Sequence, residues 1–147
     1  MDTIDSKEEQ LSIPEVVIRA VTNSDSDLPL QTILVAFVKE ASMPNTDVDI
    51  YGNTVFITHY DKTKTKAVGR ALNIDIARNF IVNGEEYMRE LYKRGVRRFS
   101  TWFTLQSFAM AFQGFKRKPI TTEMDVQILP QENGTTVVLI KLDGELI

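Results

Sequence analysis

Residues 66–104 read KAVGRALNIDIARNFIVNGEEYMRELYKRGVRRFSTWFT, and this stretch decides the fold. Its middle carries Ile76, Ala77, Phe80, Ile81, Gly84, Tyr87, Met88 and Leu91, one apolar stripe at helical spacing over about five turns. Asn73 or Asp75 stands where a side chain can accept the first free amide hydrogens of that helix. Lys93 and Arg94 fall at its far end, where cations suit the helix dipole, and Gly95 supplies a left-handed stop. The short apolar piece Ala67–Leu72 precedes the helix and reads as a strand. Phe99–Thr104 follows it, with the aromatic and β-branched composition of another strand. Strand, helix, strand in this order predicts a parallel crossover inside a mixed sheet.

Working outward, the flanks predict the rest of an α/β domain. Val16–Val21 is a β-branched run that reads as a first strand. Leu30, Ile33, Leu34, Phe37, Val38 and Ala41 recur at helical spacing, with Ser26 or Asp27 as cap and Pro29 in the first turn. Val48 and Ile50 alternate with acids, turn at Gly52-Asn53, and return through Val55–Thr58 as a hairpin. Ser107–Phe112 reads as a short helix that ends at Gly114. Met124, Val126 and Ile128, then Val138, Ile140 and Leu142, form a second hairpin about the turn 130–134. The expected order is β-α-β-β-β-α-β-α-β-β, an α/β fold with a mixed sheet and helices on both faces. Residues 1–13 read as a flexible lead-in and 14–147 as one domain, which a length of 147 residues fits.

Composition removes several chemistries. There is no cysteine, so thiolate catalysis, disulfides and cysteine-held metals are excluded. One histidine excludes a multi-histidine metal centre. No apolar run approaches the roughly 18 residues of a membrane helix. The polar, acidic start MDTIDSKEEQ lacks the pattern of a secretory signal, so a soluble cytoplasmic protein is expected. Residues 1–58 carry three basic and ten acidic side chains, and residues 59–147 carry fourteen and ten. That asymmetry permits an anionic ligand on the second half, although basic residues also coat ordinary helix ends.

The element order and the residues at its joints resemble the GNAT superfamily of acyl-CoA-dependent N-acetyltransferases. VIRAVTNSDSDLPLQTILVAFVKE, residues 17–40, is similar to that family's first strand and helix. YMRELYKRGVRRFSTWF, 87–103, is similar to the end of its central helix and the next strand, and SFAMAFQGF, 107–115, to its late helix. Trp102 and Ser107 also resemble short, divergent acetyltransferase-like proteins of bacteriophages, which implies a host cytoplasm or a phage particle as the location.

The resemblance implies transfer of an acetyl group from acetyl-CoA to an amine. The backbone of the 66–72 strand, with Gly69, Arg70, Ala71 and Leu72, would then hold the thioester and its oxyanion. Gly69 would mark a bulge that splays the two parallel strands, unless it only makes room for a neighbour. The helix start, with Arg78 and Asn79, would meet the pyrophosphate. The family's Gln/Arg-x-x-Gly-x-Gly/Ala motif falls on Asp75, Arg78 and Phe80, which depart from it at all three positions. Its Asn-x-x-Ala-x-x-x-Tyr motif falls on Leu105, Phe108 and Phe112, and Phe112 has no proton to give.

His59 is the candidate base, as the one side chain that titrates near neutrality unperturbed, with Asp61 beside it. Tyr60 could serve as the acid, and Ser100 lies on the strand that lines the acyl cleft. Each has a structural alternative: a strand-end His or Tyr also covers the core edge. The resemblance leaves two functions open. One is an active acetyltransferase with a small-molecule or protein amine as acceptor. The other keeps the fold, loses the chemistry and works as an interaction or assembly module with a protein partner. Lys93, Arg94, Arg97, Arg98 and Lys116–Lys118, interleaved with Phe99, Trp102, Phe103 and Phe115, raise a third option, single-stranded nucleic acid. Strand-like alternation of those aromatics and a net charge of −3 oppose it. No membrane partner is expected, and the oligomeric state is left open.

Overall fold

The computed structural model describes residues 18, 28–52, 54–73, 77–104 and 106–147, with 73 and 77–79 by backbone only. Its elements are α1 (Leu30–Ala41), β1 (Thr46–Tyr51), β2 (Thr54–Tyr60), β3 (Lys66–Asn73), α2 (Ala77–Lys93), β4 (Arg98–Phe103), α3 (Gln106–Ala111), α4 (Gly114–Arg117), β5 (Thr121–Pro130) and β6 (Thr136–Leu146). The six strands form one mixed sheet in the order β1-β2-β3-β4-β6-β5. Every neighbouring pair is antiparallel except β3 and β4, which run parallel and are joined through α2. The α/β class and the parallel crossover are as the sequence predicts.

Strand parity divides the side chains between two faces. Phe56 and Tyr60 of β2, Ala67 of β3, Phe99 of β4 and Val138, Ile140 and Leu142 of β6 point to the face under α2, α3 and α4. There they meet Phe80, Tyr87, Met88 and Leu91 of the α2 stripe. Val55 and Ile57 point the other way and pack under Phe37 of α1. β2 is therefore buried on both faces, which explains its unbroken apolar run. Apart from Arg70 and Leu72 of β3, which meet α1, the far face of β3, β4, β6 and β5 has no such cover among the described residues. Val68, Trp102, Leu129 and Leu139 stand on it, each 38–45% exposed.

The helix ends show why the chain turns where it does. Gly95, at φ 104°, ends α2, and the Val96 amide reaches back to the Leu91 carbonyl. Arg94 then fastens this end to the sheet edge. It donates to Asp49 at 2.7 and 2.9 Å, to Asp47 at 3.3 Å and to the Tyr60 hydroxyl at 2.7 Å.

Two local expectations change, and a third falls almost wholly outside the described residues. The strand expected at Val16–Val21 and the caps Ser26 and Asp27 lie outside the described residues, save Ile18, whose backbone is helical. Pro29 is the N-cap of α1 rather than part of its first turn, and it offers no side-chain cap bond. Gly114 does not end the late helix but opens the extra turn α4, because the Lys118 amide still finds the Gly114 carbonyl.

Candidate functional site

The parallel ladder between β3 and β4 is short. Lys66 pairs with Arg98, Ala67 with Phe99 and Val68 with Ser100, and there it stops. Beyond that point the strands part into a wedge. β3 keeps its register with β2 unbroken from Thr54↔Asn73 to Tyr60↔Ala67, so Gly69 marks no bulge on that side. A Cβ at Gly69 would lie 2.6 Å from the Phe99 ring and 2.8 Å from the Tyr87 hydroxyl. The glycine is there because two aromatic side chains press on it.

The wedge is filled. Phe80 of α2 meets Phe103 of β4 edge-on at 5.7 Å, Phe108 of α3 at 5.3 Å and Phe112 at 5.9 Å. Phe103 and Phe112 close the same cluster at 5.7 Å. The cavity left between β3, β4 and these rings is about 10 Å³, room for one water at most. Phe80 and Phe112 are the residues that stand at the second glycine and the tyrosine positions of the resembled motifs. Their bulk, with the rings around them, leaves no room for a ligand larger than a water between the diverging strands.

The proposed cofactor residues separate accordingly. Gly69 and Ala71 face the filled wedge. Arg70 and Leu72 face the opposite side, where Leu72 packs with the α1 cluster. The Arg70 guanidinium is held by the Glu40 carboxylate of α1. Arg78 and Asn79 lie in the first turns of α2, and their side chains are outside the described residues, as are Asp75 and Leu105.

The candidate catalytic residues all line one recess, but His59 and Tyr60 are held by other side chains. His59 and Ser100 share the open face. The His59 ring is held at both nitrogens, Nε2 at 2.7 Å from Glu40 and Nδ1 at 3.0 Å from the Thr46 hydroxyl. Burial alone would raise the Glu40 carboxyl. The hydrogen bond from His59 and the Arg70 charge outweigh it and hold the group below the usual carboxylate range. Tyr60 points to the other face. Burial there pushes its hydroxyl up to about 12, against the opposing pull of Arg94. Asp61 accepts the Lys66 and Thr65 backbone amides and the Thr63 hydroxyl. The Lys66 amide leads in keeping it ionised, and the carboxylate shapes its loop. Ser100 makes no side-chain hydrogen bond among the described residues.

Sequence reasoning missed a recess of about 520 Å³ on the open face, beside the β3–β4 ladder. His59, Val68, Ser100 and Leu139 line it, with Lys66, Arg98 and Lys141 along one side and Asp125 and Gln127 at the far edge. Register explains the grouping. Lys66, Arg98, Lys141 and Asp125 form one row across four strands, and Val68, Ser100, Leu139 and Gln127 form the next. Trp102, Val137 and Leu129 form a third, apolar row. Only the pairing pattern reveals these rows, because their members come from distant parts of the chain.

Among the described residues no group of three or more acidic or histidine side chains is placed to hold a metal ion. Nor is any helix there long and apolar enough to cross a membrane. No protein-family model matches the chain, and no curated protein matches it. Among solved structures it is similar to one described as the acetyltransferase of GNAT family from Streptococcus pneumoniae. The identity is 12% and the TM-score 0.46, over 93% of this chain and 95% of that one.

Proposed function

We propose that this chain is a binding module on an acetyltransferase-like sheet, with the acyl-transfer cleft closed by its own side chains. The filled wedge carries the reading: Phe80, Phe103, Phe108 and Phe112 occupy the space between the diverging parallel strands. The module works through the opposite, open face of the sheet, where the recess lies. Two further observations support it. Arg70 is committed to Glu40 on the face away from the wedge. His59 has both ring nitrogens engaged.

The test is incubation with acetyl-CoA and a panel of amines, read by mass spectrometry, beside a thermal melt with the same ligand. The expected result is no acetylated product and no rise in melting temperature at millimolar acetyl-CoA. Saturable product formation that depends on Ser100 or His59 would overturn the reading.

A second reading, acetyl transfer from acetyl-CoA to an amine, has one observation in its favour. His59 and Ser100 line the same recess next to the parallel pair, the place an acceptor amine and its base would need. On this reading the aromatic cluster has to open to admit the cofactor, and the experiment above separates the two.

A further inference from the structure

Neighbouring strands of this sheet carry three cations side by side. Lys66 and Arg98 are direct partners across β3 and β4, and Arg98 and Lys141 across β4 and β6. Like charges directly opposite one another destabilise a sheet, so such a row is a local conflict in the fold. Local conflicts of this kind tend to mark functional sites. The surrounding acids relieve it only in part. Asp143 takes one Arg98 nitrogen at 2.6 Å. Asp125 stands opposite Lys141 in the ladder, and Asp61, whose backbone amide bonds the Lys66 carbonyl, lines the same recess at the other end of the row. Neither Lys66 nor Lys141 makes an ion pair among the described residues.

The row forms one side of the recess, and the next row supplies the floor. Val68 is 45% and Leu139 38% exposed there, with the unbonded Ser100 hydroxyl between them. At about 520 Å³ the recess falls within the size range of small-molecule pockets. Its apolar floor, free hydroxyl and charged side are the parts such a site needs.

We propose that the recess binds a small organic anion, a carboxylate or phosphate on an apolar body. The anionic group lies across Lys66, Arg98 and Lys141. The body covers Val68 and Leu139, and Ser100 donates a hydrogen bond to the ligand. The proposal deepens the binding-module reading and rests on it: with no acyl transfer at this sheet, the recess holds its ligand without transforming it. Asp125 at the end of the row limits the charge, which favours one anionic group over a polyanion.

The experiment uses octanoate as probe, with inorganic phosphate beside it, followed by calorimetry and by the fluorescence of Trp102. That residue is the chain's single tryptophan and lies two residues from Ser100 on the same face. Octanoate should bind saturably and change the Trp102 emission. Lys66→Gln and Lys141→Gln should each weaken it about tenfold, the loss expected for one charge-assisted hydrogen bond. Lys116→Gln, on α4, should leave it unchanged.

No heat and no fluorescence change at millimolar octanoate, with folded protein, overturns the proposal. So does unchanged affinity in both strand variants, or inorganic phosphate binding as tightly as octanoate. Failure of the module reading itself would appear separately, as acetylated product from acetyl-CoA.

Discussion

Val68 and Ser100 form the last rung of the parallel ladder, and the two strands part just after it. On one face the parted strands are plugged by phenylalanines. On the other the same rung floors the recess. The plugged side and the recess thus meet at this rung.

The plug should resist the change that would restore a missing acid. Phe112 is 3% exposed and ringed by Phe80, Phe103 and Phe115. Phe112→Tyr puts a hydroxyl into that apolar cluster and should cost about 1–3 kcal/mol of stability. No acetyltransferase activity should appear with it. Urea denaturation and an acetyl-CoA turnover assay check the two halves. A variant as stable as the parent and active would show that the cluster already has room for the chemistry.

Gly69 tests the origin of the wedge. Its missing side chain lets the Phe99 ring and Tyr87 lie against β3. Gly69→Ala forces them apart and should destabilise by about 1–3 kcal/mol. Equilibrium unfolding measures it, and a stabilised variant would mean that the aromatic pair can move freely.

Arg94 tests the anchoring of α2. Its guanidinium meets Asp49, whose side chain is 16% exposed, and Arg94→Met leaves that carboxylate without its partner. A loss of about 2–4 kcal/mol is expected, near the range for breaking a partly buried ion pair. A loss below about 0.5 kcal/mol would put the pair in the class of surface bridges.

Acid sensitivity should trace in part to Glu40. His59 and Arg70 lower its folded-state pKa against the raising effect of burial, from an ordinary value of 4.5. The unfolded chain therefore binds the proton more tightly than the folded one. The stabilisation is present above the ordinary value and is lost as pH falls through the lowered one. Glu40→Gln should flatten the stability profile below about pH 4.5, with the difference from the parent greatest at neutral pH. Urea midpoints at pH 3 to 7 would show it, and parallel profiles would refute it.

The stretch 66–104 made the fold legible, because a helical stripe bounded by strands and closed by Gly95 has few other solutions. The site was legible in fragments. The resemblance singled out His59 and Ser100 one by one, and Phe80 and Phe112 in place of glycine and tyrosine hinted at a blocked cleft. That these two meet Phe103 and Phe108 in one cluster depends on how α2 and α3 pack, which no local pattern encodes. The bond between Glu40 and Arg70, thirty residues apart, needs α1 laid over the sheet. The cation row needs the register of three strands, and a one-residue slip would send its members to opposite faces.

The central claim is that the wedge beside Gly69 is closed to an acyl-CoA. Its most direct measurement is a nuclear magnetic resonance titration of the labelled protein with acetyl-CoA, following the backbone amides of 69–72, 77–80 and 101–103. The account predicts that these resonances stay in place at millimolar ligand. Saturable shifts concentrated on those amides would contradict it.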